Sequence, residues 1–125
     1  MEYLIDTHTL LWYFQDDARL SLRAKQIIDT CDCVISYASL WEIAIKQSIG
    51  KLQYNRSIET IENDVKRAGF KLLQICSTHL DAIKMLPFIH NDPFDRLLIA
   101  QATVEHLAFI TADTKIKQYQ IETVW

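Results

Sequence analysis

Residues 1–14 read MEYLIDTHTLLWYF and place one acidic residue between two apolar segments. The segment at residues 3–5 predicts a short buried strand, and residues 7–14 predict a helix that follows it at once. Asp6 separates the two, so its carboxylate would lie at the carboxyl end of the strand. Such an acid has two explanations: it caps the helix, or it binds something at the edge of a sheet.

The rest of the chain repeats this alternation of short apolar segments and helical patterns. Further strands are predicted near residues 33–36, 71–75, 107–111 and 121–124. Helices are predicted at residues 21–29, from Ser39 onward, at 57–68, 78–85 and 93–105, with a last short one after Asp113. Several of the strands are uninterrupted apolar runs, as expected when both faces of a sheet are covered. The alternation therefore predicts an α/β fold with a parallel sheet and helices on both sides.

Composition favours one folded domain spanning residues 1–125. Half of the residues are hydrophobic, and glycine and proline number only two each, so neither a linker nor disorder is expected. No apolar stretch approaches the roughly 20 residues that cross a bilayer, and the N-terminus lacks a signal-peptide pattern. We therefore expect a cytoplasmic protein without membrane contact. The three cysteines are expected to be buried free thiols rather than disulfides.

Acidic residues recur just after the predicted strands or in the first turn of a following helix. In parallel sheets the carboxyl ends of the strands meet along one edge, and functional residues gather there. Four carboxylates occupy such positions: Asp6, Glu42, Asp95 and Asp113. If the strand ends converge, all four side chains face one crevice.

Each of these acids also has a structural explanation. Acids are favoured at helix N-termini because of the free N–H groups and the helix dipole. Residues 39–42 (SLWE) have the pattern of a capping box, and Asp113 could cap the last short helix. In residues 92–95 (DPFD), Asp92 is expected to be the N-cap and Asp95 to lie in the first turn.

Taken together, the four carboxylates favour a metal site. They would repel one another and their pKa values would rise, and no Lys or Arg is expected to pair locally with Asp6, Glu42 or Asp113. Carboxylate ligands without His or Cys suit Mg²⁺ or Mn²⁺ rather than zinc. Because Mg²⁺ sites are commonly completed by substrate phosphates, the set indicates phosphoryl chemistry.

Four stretches, in their order and spacing, resemble the PIN-domain family. They are LIDTHTLLW (4–12), ISYASLWEIAIK (35–46), HNDPFDRLLIAQA (90–102) and ITADTKI (110–116). The third is the most specific, and together they cover essentially the whole chain. Within the family, the chain resembles the VapC-type toxins of bacterial toxin–antitoxin pairs.

This resemblance implies a three-layer α/β/α sandwich around a mainly parallel sheet of about five strands. It also implies an endoribonuclease that depends on Mg²⁺ or Mn²⁺. The family's acidic set matches the four carboxylates already identified, with Glu42 orienting or deprotonating the attacking water and all four available to one or two ions. Four more residues are expected to contact substrate or support the ligands: Thr7, Asp92, Arg96 and Thr111.

The net charge of −3 argues mildly against a nucleic-acid substrate, but without the four site acids it would be +1. Six basic residues between positions 46 and 71 are expected to form a rim around the acidic pocket: Lys46, Lys51, Arg56, Lys66, Arg67 and Lys71. For any single lysine among them, a solvated helix face is the better explanation.

The resemblance further implies an RNA substrate, a cognate antitoxin whose tail lies along an apolar groove, and a homodimer. Trp12 and Trp41 are candidates for that groove. His8 and His90 are expected to lie near the site without acting in catalysis. The alternative to a nuclease is a PIN-like module that binds RNA or protein without cleavage, against which the intact acidic set argues.

Overall fold

Five short strands and six α-helices alternate in the computed structural model, which describes residues 1–125. The strands are β1 (Glu2–Ile5), β2 (Asp32–Ser36), β3 (Lys71–Leu73), β4 (Ala108–Ile110) and β5 (Thr123–Val124). The helices are α1 (Thr7–Phe14), α2 (Leu22–Thr30), α3 (Tyr37–Ser48), α4 (Ile58–Arg67), α5 (Ser77–Lys84) and α6 (Pro93–Val104), and a 3₁₀ turn follows at Ile116–Gln118. The predicted succession of strands and helices is confirmed.

The strands form one sheet with the order β3-β2-β1-β4-β5, and every pair is parallel. The chain leaves β1 towards β2 on one side and returns to β4 on the other, so the strand order switches at β1. In this register Ile5 pairs with Ile110, which brings the carboxyl ends of β1 and β4 together. The switch point of a parallel sheet is where ligand sites form.

Alternate strand residues point to opposite faces of the sheet, and each face is covered by helices. One core contains Ile5, Cys33, Ile35 and Ile110 together with apolar residues of α1, α2 and α4. The other contains Leu4, Val34 and Phe109 together with apolar residues of α6 and of the 3₁₀ turn. This three-layer α/β/α arrangement confirms the expected fold class.

Helix α3 begins earlier than expected. Ser36, the last residue of β2, caps the helix by accepting a hydrogen bond from the backbone N–H of Ala38 at 3.0 Å. Ser39 therefore lies inside the first turn, and the capping-box interpretation of residues 39–42 is wrong. Glu42 lies in the second turn, so its carboxylate has no role in capping.

The helices and the cysteines bear on two expectations drawn from composition. None of the helices combines the length and the apolar character needed to span a lipid bilayer. All three cysteines are free thiols, but only Cys33 is buried, whereas Cys31 and Cys76 are exposed.

Candidate functional site

Asp6 follows β1 and lies beside the end of β4, because its backbone N–H donates to the carbonyl of Ile110 at 3.1 Å. It occupies the N-cap position of α1, yet its side chain makes no capping hydrogen bond. Its Oδ2 accepts a hydrogen bond from the Thr111 hydroxyl at 2.7 Å, and its Oδ1 is buried without any partner. The carboxylate therefore does not cap the helix, and one oxygen is available to a ligand.

Thr111 connects the acid after β1 to the acid after β4. Its hydroxyl donates to Asp6 and accepts from the backbone N–H of Asp113 at 3.1 Å. The residue is fully buried, so it orients two acids instead of meeting water or phosphate. Asp113 in turn accepts a hydrogen bond from the backbone N–H of Lys115 at 2.8 Å, which fixes the turn after β4.

The start of α6 presents Asp95 to the same edge. The Oδ1 atom of Asp92 accepts hydrogen bonds from the backbone N–H groups of Phe94 (2.8 Å) and Asp95 (3.2 Å), and Pro93 begins the helix. Asp92 is therefore the N-cap, as its position before proline predicts. Its capping role leaves Asp95, in the first turn, as the acid of this stretch that lines the cleft.

Glu42 is only 3% exposed, and its two oxygens differ. Oε2 lies 2.8 Å from the Lys46 ammonium one turn further along α3, whereas Oε1 is buried without a partner. The expectation that no Lys or Arg pairs locally with the acids is therefore wrong for Glu42. The spacing of four residues along a helix was the available signal.

His90 lies between two of the acids, closer to the centre of the site than the sequence suggested. Its Nε2 is 2.9 Å from Asp113 Oδ2 and 3.1 Å from Asp95 Oδ2. Its Nδ1 accepts a hydrogen bond from the backbone N–H of Asp92 at 3.1 Å. The position of His90 two residues before the D-P-F-D run was the only sequence signal for this contact. His8, by contrast, is exposed at the rim of the cleft.

The acids are close enough to perturb one another. Burial, followed by repulsion from Asp6, Asp92, Glu42 and Asp113, raises the pKa of Asp95 to about 8. Burial also raises the pKa of Asp6, although the hydrogen bond from Thr111 opposes this. Burial acts in the same direction on Asp113, but hydrogen bonds from His90 and from the backbone outweigh it and lower its pKa. The charge repulsion is therefore greatest on Asp95.

Three of the four acids open onto a cleft of about 410 Å³, and Glu42 is not among its lining residues. Asp6, Asp95 and Asp113 line it together with His8, Trp12 and Arg19. Buried polar atoms in proteins are almost always hydrogen-bonded, so the unpartnered oxygens of Asp6 and Glu42 need an explanation. A divalent cation meets this need, because it would satisfy such oxygens and offset the repulsion that raises the pKa of Asp95. The donor set present therefore fits a metal ion.

Two residues expected to contact substrate or support the ligands lie elsewhere. Thr7 is buried, and its hydroxyl donates to Ser39 Oγ at 2.8 Å, which joins α1 to α3. Arg96 is also buried, and its guanidinium donates to main-chain carbonyls, including those of Pro87 (2.9 Å) and His90 (3.4 Å). Arg96 therefore contacts neither the acids nor the cleft, contrary to both roles considered for it.

The basic residues between positions 46 and 71 do not form a free rim. Five of them lie within 4.0 Å of a carboxylate, and Lys51 is the exception. The pairs are Lys46–Glu42, Arg56–Asp64, Lys66–Glu62, Arg67–Asp64 and Lys71–Glu2. The positive side chain that does line the cleft is Arg19, whose guanidinium lies 5.1 Å from the centre of the Trp12 ring.

Residues 3–122 match the family model of the PIN domain. No curated protein sequence is significantly similar to the chain.

Solved structures share the fold over nearly their whole length. VapBC2 from Rickettsia felis, bound to a DNA fragment from its promoter, is 13% identical, with a TM-score of 0.69 over 99% of this chain and 98% of that chain. A toxin–antitoxin complex from Klebsiella pneumoniae is 20% identical, with a TM-score of 0.65 over 98% and 96%. FitAcB from Neisseria gonorrhoeae is 14% identical, with a TM-score of 0.66 over 100% and 97%. At these identities the similarity concerns the fold.

The raised pKa of Asp95 predicts that this residue destabilises the metal-free protein at alkaline pH. A carboxyl whose pKa rises from 3.8 to about 8 on folding opposes folding increasingly as the pH increases between these values. Asp95→Asn should therefore raise the Tm in EDTA at pH 8 by ~5 °C or more, and by less at pH 5. Calorimetric or circular-dichroism melting curves at both pH values measure this.

Asp81→Asn is the matched control, because the side chain of Asp81 is 77% exposed on α5. It should leave the Tm nearly unchanged at both pH values. Equal stability of the wild type and Asp95→Asn at pH 8 would contradict the electrostatic description of the site.

Proposed function

Because the chain belongs to the PIN-domain family, we propose that residues 1–125 form one PIN domain that acts as a Mg²⁺- or Mn²⁺-dependent endoribonuclease. The observation that carries this proposal is the pair of buried, unpartnered oxygens, Asp6 Oδ1 and Glu42 Oε1, beside the strongly perturbed Asp95. A module that only bound RNA or protein would gain nothing from such repulsion. This supports cleavage over the non-cleaving alternative.

Asp6, Asp95 and Asp113 would hold the ion, and the free oxygen of Glu42 would either complete the ligand set or orient the attacking water. This all-oxygen donor set suits Mg²⁺ or Mn²⁺. When bound, such an ion would make a water molecule more acidic and offset the charge of the scissile phosphate. Thr111 keeps the Asp6 carboxylate in one orientation through its hydroxyl. The Asp6 carboxylate is therefore already oriented before an ion binds.

Glu42 is the residue best arranged to receive a proton from the attacking water. Lys46 holds Oε2, which leaves Oε1 as the oxygen that can orient the water or accept its proton. Glu42 belongs to the middle of α3, where its neighbours Leu40 and Ile43 are anchored in the core.

The RNA would enter along the wall of the cleft formed by Trp12 and Arg19. The Arg19 side chain is 67% exposed and can contact a phosphate, while Trp12 offers a surface on which a base can stack. Arg19 is itself paired with Asp17 at 2.7 Å, so it differs from the basic residues at 46–71 in lining the cleft and not in being unpaired.

We further propose that the chain is the toxin of a toxin–antitoxin pair and forms a homodimer. The structural similarity to toxin–antitoxin complexes supports an antitoxin partner. A groove between α3 and α4 offers an antitoxin segment a largely apolar surface with an acidic edge, and it is lined by Tyr37, Leu40, Trp41, Ala44 and Ile58 together with Glu59, Glu62 and Asn63. Trp41 is 56% exposed there, and its ring packs against Phe94 with the ring centres 4.9 Å apart.

Purified protein should cleave RNA in Mg²⁺ or Mn²⁺ and lose this activity in EDTA. Asp6→Asn and Asp113→Asn should each reduce the rate by about 100-fold or more, because they remove charge that the ion needs. Gel analysis of a labelled RNA measures the rate, and circular dichroism checks the fold.

Asp81→Asn, the same substitution at an exposed carboxylate, should cleave like the wild type. An Asp6→Asn protein that cleaves at the wild-type rate would refute the mechanism. A folded wild type that binds Mn²⁺ and RNA without cleaving would favour the binding module.

Thr111→Val should weaken metal binding without unfolding the protein. Valine has nearly the same shape but cannot donate to Asp6 or accept from the backbone of Asp113. Losing a group that orients a ligand typically lowers metal affinity by about 10- to 100-fold. Isothermal titration with Mn²⁺ measures this, and Thr111→Ser, which keeps the hydroxyl, should stay close to the wild type. Equal Mn²⁺ affinity of the Val and Ser variants would contradict the orienting role.

A further inference from the structure

The connection between α5 and α6 has no regular structure, yet side chains hold it firmly. The Arg96 guanidinium, in the first turn of α6, donates to the carbonyls of Ile83 (3.3 Å), Leu86 (3.4 Å), Pro87 (2.9 Å) and His90 (3.4 Å). Arg96 is only 7% exposed and forms no ion pair with a carboxylate. Its charge is therefore distributed over the main chain of this connection, as a buried charge requires.

Tyr119 holds the same segment from beside Arg96, whose guanidinium donates to the Tyr119 hydroxyl at 3.4 Å. Its hydroxyl donates to the carbonyl of Pro87 at 2.9 Å and accepts from the backbone N–H of His90 at 2.8 Å. The backbone of His90 is consequently fixed through its own N–H and carbonyl groups, independently of the contacts of its ring. Arg96 and Tyr119 together hold this loop, and we call the two side chains the Arg96–Tyr119 clamp.

The ring of His90 has a defined tautomer. A backbone N–H can only donate, so Nδ1 must accept the hydrogen bond from Asp92 with its lone pair. The neutral ring then carries its single proton on Nε2. That proton is donated to Asp113 Oδ2 at 2.9 Å, and Asp95 Oδ2 lies 3.1 Å from the same nitrogen.

This tautomer excludes one simple interpretation of the cluster. The ligand atoms of His90, Asp95 and Asp113 lie within 4.8 Å of one another and resemble a three-ligand metal site. A protonated Nε2 has no lone pair for an ion, however, so His90 cannot be the third ligand in this arrangement. It can instead hold two mutually repelling carboxylates at a short separation.

We propose that His90 is a positioning residue whose Nε2–H, donated to Asp113 and 3.1 Å from Asp95, keeps the two carboxylates close together to receive the ion, and that the Arg96–Tyr119 clamp holds His90 in place. The inference rests on the proposed metal-dependent function, since positioning has a purpose only if an ion binds. It keeps the donor set entirely oxygen, which is the set that Mg²⁺ prefers. Carboxylates that bind metal ions are commonly oriented by such hydrogen bonds from neighbouring groups.

Substitution of His90 tests the hydrogen bond directly. His90→Ala should weaken Mn²⁺ binding by about 10- to 100-fold, and His90→Gln should restore part of the loss because its amide can still donate. Tyr119→Phe should cause a smaller loss, since it keeps the ring but releases Pro87 and His90. Isothermal titration of the full chain with Mn²⁺ measures the affinity. The matched control is His106→Gln, at an exposed histidine, and it should bind Mn²⁺ like the wild type.

Spectroscopy separates positioning from ligation and from a merely structural role. A long-range nitrogen–proton NMR correlation spectrum should show the Nε2–H tautomer for His90, without metal and with Mg²⁺. The electron spin echo of bound Mn²⁺ should show no modulation from a directly bound nitrogen. A proton on Nδ1, or a nitrogen bound to Mn²⁺, would overturn the proposal.

The outcomes distinguish this proposal from the function on which it rests. If the wild type and His90→Ala bind Mn²⁺ equally well, the positioning role of His90 is refuted and the proposed metal-dependent function is not. Equal losses of affinity in His90→Ala and His90→Gln would also overturn it, because they would indicate a structural role. A wild type that binds neither Mn²⁺ nor Mg²⁺ would remove the metal centre and the positioning role with it.

Discussion

The parallel pairing of β1 with β4 is the constraint on which the site depends. It aligns Ile5 with Ile110, so that Asp6 and Thr111 lie side by side although 105 positions separate them in the chain. Because side chains alternate along a strand, a slip of one residue would turn Asp6 away from Thr111 and reverse every core contact of the strand. Leu4 and Phe109 fix the register on one face of the sheet, and Ile5 and Ile110 fix it on the other. Core packing thereby determines where the carboxylate points.

The same edge of the sheet concentrates negative charge that folding alone would disfavour. Lys46 and His90 are the basic groups bonded to the acids, and each leaves carboxylate oxygens uncompensated. The raised pKa of Asp95 reflects this repulsion. The two extensive apolar cores must offset the cost, which explains how the protein keeps a site that is less stable than its surroundings. Local conflict of this kind is expected where function, and not stability, determines the residues.

The fold could be predicted from the sequence because its elements depend on local patterns. Apolar runs and helical spacing located every strand and helix, and their alternation gave the parallel sheet. The errors lie where two local solutions compete: Ser36 and Ser39 are both able to cap α3, and the sequence pattern alone favoured the wrong one. Lys46 was missed as a partner of Glu42 because the acids were compared with their neighbours in sequence and not with residues one helical turn away. The basic residues at 46–71 were counted as charges, whereas the structure pairs most of them.

The roles of His90 and Arg96 could not be predicted, because they depend on the path of a loop without periodicity. The sequence HNDPFDR, residues 90–96, nevertheless encodes one hydrogen-bonded unit. The backbone N–H of Asp92 fixes the His90 ring, the Asp92 side chain caps α6, and Arg96 returns to the carbonyl of His90. The ring in turn contacts Asp95, so each member determines the geometry of another. A residue inserted between His90 and Asp92 would separate the His90 ring from the backbone N–H that fixes it, and one inserted between Asp92 and Arg96 would turn Arg96 away from the carbonyl of His90. The spacing of the motif is therefore as necessary to the site as the carboxylate that it contributes.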